Sequence, residues 1–194
     1  MTKCAEIDTT ISITASLSLA SAKSNMSKND RDLTNCDNAS FDLGRFVKAQ
    51  SSIYDTALAE ICARRKRTHW MWFIFPQLRG LAASTTSNYY GIDGIGEAYD
   101  YIKHPLLGSR LVECTRAMCE TGEANVQCIL GEIDAAKFRS CMTLFELADD
   151  QQPCFVHALH QFFNGDRDSL TFTALKFQPN ADKNLDRYDG VVND

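Results

Sequence analysis

The sequence predicts an all-α fold: one compact domain of seven to nine mostly short helices over residues 41–176. A disordered extension is expected over residues 1–40 and a flexible tail over 177–194. Three observations carry this reading. Apolar residues recur at helical spacing from Phe41 onward. No stretch alternates apolar and polar residues over the length of a strand, and no internal repeat is visible. Gly, Pro and Asn interrupt the apolar periods often, which keeps the helices short.

Ile53, Tyr54, Ala57, Leu58, Ile61 and Cys62 form one broad stripe, predicting a helix from about Ser51 to Arg65. Ser51 or Ser52 is suited to cap its start. The run Arg64-Arg65-Lys66-Arg67 falls at its C-terminal end, where cations suit the macrodipole. Thr68 is a candidate cap for a short helix or turn through the Trp-rich segment, which Pro76 stops. Ser84 to Tyr90 predicts a short helix ended by Gly91. Asp93 is expected to cap the next, through Glu97, Ala98 and Tyr101, ending by His104-Pro105 because a residue before Pro avoids the helical region.

Leu107, Leu111, Cys114 and Met118 mark the clearest amphipathic helix, about Pro105 to Glu120, with Pro in its first turn. Val126, Ile129 and Leu130 belong to a short helix closed by Gly131. Phe138, Cys141, Met142 and Phe145 line another, from about Ile133 to Leu147. Phe155, Val156, Leu159, Phe162 and Phe163 line the next, terminated by Asn164-Gly165. Asp166 or Asp168 starts a final helical turn through Leu175.

The chain has 194 residues, is 44% hydrophobic and carries a formal net charge of −5. A core of that size needs no metal or disulfide to support it. The acidic balance argues against a general nucleic-acid binder, which presents a basic face. Eight cysteines are scattered without a C-x-x-C pair, so they read as reduced and mostly buried, in a cytoplasmic setting. No apolar run reaches the length of a membrane-spanning helix. Glu6 and Asp8 stand where a signal peptide wants positive charge.

Several strings are distinctive: RKRTHWMWFIFPQLRGL, EAYDYIKHPLLGSRLVEC, DAAKFRSCMTLF, RFVKAQ and YDTALAEI. In this order-preserving combination, from about Arg45 to Leu175, the chain resembles domain-of-unknown-function family 1810. Members occur mainly in bacteria and fungi, and some carry a calpastatin-like label. Calpastatin inhibitory regions are disordered repeats, whereas this chain has a dense apolar pattern and no repeat. The resemblance implies a mainly α-helical, compact fold and brings no biochemical function with it. It singles out Arg45, Gln50, Tyr54, Lys66, His69, Trp70, Trp72, Gln77, Ser84, Tyr90, His104, Arg110, Asp134, Lys137 and Ser140. Four positions depart from the family pattern. Arg65 stands where Gly is usual, Ala82-Ala83 replace a Gly-containing pair, and Cys141 replaces the second Ser of a Ser-Ser-Met-Thr string.

The segment His69 to Gly80, HWMWFIFPQLRG, is the most unusual chemistry in the chain. Its aromatic rings suit either a core or a pocket wall that stacks on planar ligands. Lys66, Arg67 and His69 place cations beside that wall, as a phosphorylated ligand requires. His69 and Gln77 are polar groups inside an apolar run and need partners. His104 and Arg110 flank a helix N-terminus, an arrangement suited either to an anion or to ordinary capping and surface pairing. Asp134 and Lys137 are spaced for a local ion pair.

Ser140 and Cys141 show no positioned base, so no nucleophile is assigned. His157 and His160 lack the acidic partner that a metal site needs, and GIDGIGEA lacks the strand before it that a dinucleotide fingerprint needs. No metal and no cofactor are expected. The resulting candidate set is Lys66, His69, Trp70, Gln77, Tyr90, His104 and Arg110, binding a small anionic, partly planar ligand of nucleotide-like or phosphorylated type. Catalysis is left open. The alternative is a non-catalytic protein-interaction or regulatory module in which the aromatics are core.

Overall fold

A computed structural model describes residues 41–176. The predicted extension and tail lie outside the described residues. Ten helices follow one another: α1 (Gly44–Gln50), α2 (Tyr54–Cys62), α3 (Met71–Ile74), α4 (Thr85–Tyr89), α5 (Ile95–Lys103), α6 (Pro105–Glu120), α7 (Val126–Leu130), α8 (Glu132–Ala148), α9 (Pro153–Phe163) and α10 (Ser169–Lys176). The count exceeds the expected range because α1 is a separate element. Among the described residues the sole β pairing is one parallel bridge, Leu78 to Ile92.

Helices α5, α6, α8 and α9 pack on one another, and the short helices close over them. α6 matches its predicted span, with Pro105 at its first position and His104 as N-cap. The His104 Nδ1 accepts from the amides of Leu106 and Leu107 at 3.2 and 3.3 Å. α5 turns sharply into α6 here, and the fit demands Gly108. A Cβ at that position would lie 1.9 Å from the Ile102 carbonyl oxygen.

α2 differs from its predicted span at both ends. It starts at Tyr54 without a side-chain cap, and Ser51 instead donates its hydroxyl to the Lys48 carbonyl. It stops at Cys62, three residues early, in a Schellman turn. The Arg65 amide donates to the Glu60 carbonyl at 3.0 Å and the Arg64 amide to that of Ile61 at 2.8 Å. Arg64 takes the left-handed position, φ 57°, that glycine usually fills.

Thr68 does not cap α3, whose N-cap is Trp70. Nor does Asp93 cap α5. Gly94 stands there, and the Asp93 amide donates back to Glu97 at 2.6 Å. Asn164, left-handed at φ 55°, ends α9 as its sequence predicts. Asp168 opens α10, accepting from the Thr171 amide at 2.9 Å.

The aromatic segment answers its own question largely as core. Trp70, Met71, Phe73, Ile74 and Phe75 are all buried. Phe75 meets the Phe138 ring edge-on at 4.8 Å, and Tyr101 meets Phe46 at 5.0 Å and Phe145 at 5.3 Å. Edge-to-face pairs add to the area each ring removes from water.

Candidate functional site

The basic end of α2 and the aromatic segment meet the start of α8. Glu60 organises the approach. One of its carboxylate oxygens accepts from the Arg67 amide at 2.8 Å, the Thr68 amide at 3.1 Å and the Trp70 indole N–H at 2.8 Å. Burial pushes this carboxyl up, but those amides and the indole outweigh it and hold it at about 2. The Lys66 amide donates to the Ile129 carbonyl at 2.8 Å, which ties the same strand of chain to α7.

Lys66 thereby points at α8. Its ammonium lies 2.8 Å from one Asp134 oxygen, while Lys137 reaches the other at 2.7 Å. The three side chains are only 12%, 16% and 19% exposed for Lys66, Asp134 and Lys137. Burial raises the Asp134 carboxyl, yet the hydrogen bonds from Lys137 and Lys66 prevail and hold it below the usual carboxylate range. Two ammonium groups against one carboxylate leave one net positive charge.

Each ammonium also stands over an indole. Lys66 is 5.2 Å from the Trp70 ring centroid, and Lys137 is 5.2 Å from that of Trp72. His69 is exposed and Trp72 half-buried. Their planes lie within 12° of parallel with centroids 6.5 Å apart. A planar group stacked on one ring is therefore nearly parallel to the other.

The seven sequence candidates do not all gather here. Lys66 and His69 do. Trp70 is fully buried, so its indole supports the site from beneath and has no free face for a ligand. Trp72, singled out by the family resemblance but absent from the seven candidates, supplies the indole at the rim. Gln77 is half-buried in the loop after α3, where its backbone carbonyl accepts from the Ile92 amide at 2.9 Å. Tyr90 packs its ring on Phe73 at 5.4 Å and on Phe46 at 6.0 Å. His104 is occupied as the cap of α6.

Arg110 belongs to a separate polar network. It donates to Gln50 at 3.3 Å and lies 4.3 Å over the Tyr54 ring. Gln50 in turn donates to the Phe73 carbonyl at 2.7 Å and the Tyr101 hydroxyl at 3.0 Å, and Tyr54 donates to Glu113. These groups satisfy one another across α1, α2, α3, α5 and α6.

Arg45 forms a third cluster. It pairs with buried Glu97 at 2.6 Å and donates to the carbonyls of Tyr89 and Gly91, each at 3.0 Å. Ser140 donates to Asp168 at 2.9 Å, and burial pushes the Cys141 thiol far up, which disfavours the thiolate a nucleophile needs. Among the described residues no group of three or more His, Cys, Asp or Glu side chains is placed to hold a metal ion. None of the described helices is long and apolar enough to cross a membrane.

Comparison with known proteins bears on the whole helical region. The crystal structure of the conserved hypothetical protein Rv1873 from Mycobacterium tuberculosis superposes with a TM-score of 0.70 at 43% identity, covering 71% of this chain and 99% of that one. No match was found among curated proteins. The family model described as protein of unknown function (DUF1810) matches residues 40–175, nearly every residue of the helical region, and the chain belongs to that family.

Proposed function

We propose that the face formed by Lys66, His69, Trp72 and Lys137 binds a small anionic, partly planar ligand of nucleotide-like or phosphorylated type. One observation carries this reading. Two part-buried ammonium groups share a single carboxylate, and the near-parallel rings of His69 and Trp72 stand beside them. Each ammonium has three donors and spends one on Asp134, so donors remain for a ligand. Low exposure lowers the local dielectric and strengthens their pull on an anion. Stacking on the rings then orients the planar part.

The test is thermal unfolding of the full chain against nucleotides, ADP-ribose-type compounds and phosphorylated metabolites, alongside the His69→Ala and Lys137→Gln variants. A ligand at 100 times its Kd adds about 2.7 kcal/mol of stability, which raises the midpoint by about 5–10 °C in a domain this size. The reading expects a shift in the wild type that shrinks in both variants. A ligand whose shift survives both substitutions binds elsewhere and refutes it.

A second reading, a protein-interaction module, is favoured by a different feature. Arg64, Arg65 and Arg67 are exposed, and Arg65 and Arg67 border one side of an open depression of about 460 Å3 along α2 that Asp55 and Glu60 also line. An acidic peptide bound with salt-sensitive affinity, and released by replacing Arg65 and Arg67 with Gln, would support it.

A further inference from the structure

The charge arrangement around Asp134 says more about the ligand than its sign. Resting on the binding face described above, we propose that this site selects singly charged planar anions over doubly charged ones, with Asp134 as the specificity-determining residue. Lys66 and Lys137 supply two positive charges, and Asp134 takes up one of them through hydrogen bonds of 2.8 and 2.7 Å. A monoanion brought beside the two ammonium groups leaves the site neutral. A dianion leaves it with an excess negative charge next to the Asp134 carboxylate, in surroundings where solvent screens poorly.

Asp134 cannot swing away cheaply. Its side chain is 16% exposed, and both of its oxygens are engaged by cations that are themselves mostly covered. The fixed carboxylate therefore repels a second negative charge instead of yielding to it. The apolar rim agrees with a ligand of low charge. Ile133 is 74% exposed on α8, one turn before Lys137 and so on the same side of the helix. The fitting chemistry is a planar ring carrying one negative charge, either a phosphodiester or a carboxylate.

The experiment uses four probes that share one ring and sugar: adenosine, adenosine 5′-carboxylate, the methyl ester of adenosine 5′-monophosphate, and adenosine 5′-monophosphate itself. The last is mostly a dianion at pH 8, because its second ionisation lies near pH ~6. Titration calorimetry with the full chain at low salt reads each Kd. The expected result is a monoanion, ester or carboxylate, binding at least about fivefold more tightly than both the dianion and the neutral nucleoside. The tighter of the two monoanions identifies the source chemistry. In Asp134→Asn the dianion should gain about tenfold relative to the ester.

A wild-type preference for the dianion, or an Asp134→Asn variant that leaves the ratio unchanged, overturns the proposal while leaving the anion site standing. Binding by none of the four removes the site itself, and the proposal with it. If Asp134→Asn does not fold, Lys137→Gln serves in its place. That variant makes the site neutral, and it should weaken the monoanions several-fold more than the neutral nucleoside. Equal losses for charged and neutral probes would again overturn the charge argument.

Discussion

Replacing Glu60 by Ala removes the acceptor that three donors share, and the structure sets the cost. The Trp70 indole N–H is fully buried and would be orphaned. A buried donor without a partner costs about 1–3 kcal/mol. The Arg67 and Thr68 amides belong to exposed residues, so water replaces the carboxylate there and each contributes about 0.5 kcal/mol.

The depressed carboxyl expresses the same contacts in another way. The carboxyl is held at about 2 against an ordinary 4.5. That difference corresponds to roughly 2 kcal/mol once solvent screening is allowed for. Both figures rest on the same three hydrogen bonds and put the loss at about 2–3 kcal/mol. Because the folded value is depressed, this stability is complete above pH 4.5 and disappears as pH falls toward 2.

Urea unfolding of the full chain checks both statements. Glu60→Ala should lower the midpoint at unchanged slope near neutral pH. Its stability should fall less than that of the wild type between pH 5 and pH 3. A loss under about 0.5 kcal/mol, with the acid dependence intact, would refute the account of how Lys66 and His69 are presented.

Other substitutions test the frame around the site. Gly108→Ala drives a methyl into the Ile102 carbonyl and should cost at least 2–3 kcal/mol, read by the same unfolding curves. His104→Ala should lose about 1 kcal/mol by uncapping α6, and His104→Asn should recover most of it. Arg45→Met leaves Glu97 buried and unpaired at a cost of about 3–5 kcal/mol, which a second change, Glu97→Gln, should partly restore. Arg64→Gly relieves a left-handed residue and should leave stability unchanged or raise it by up to about 1 kcal/mol. A clear loss there would show that the Arg64 side chain contributes more than its backbone strain costs.

Sequence alone determined what depends on neighbours along the chain. The span of α6 follows from Leu107, Leu111, Cys114 and Met118 with Pro105 at its head, and the end of α9 follows from Asn164-Gly165. The ion pair between Asp134 and Lys137 was legible for the same reason, since three residues on a helix share a side. Periodicity reports which face of a helix is covered but not what covers it.

The tertiary structure decided the partners. It made Trp70 core and Trp72 rim, two indoles that look alike in the string HWMW. It ended α2 early, because Glu60 draws the Arg67 and Thr68 amides across a left-handed turn at Arg64. It separated His104 and Arg110 from the aromatic-basic stretch by engaging one as a cap and the other with Gln50. It also carried Lys66 to Asp134, a contact between residues far apart in the chain that no local spacing encodes. Charge and ring type are properties of single residues, whereas a site is a distance between residues, and packing of the helices sets that distance.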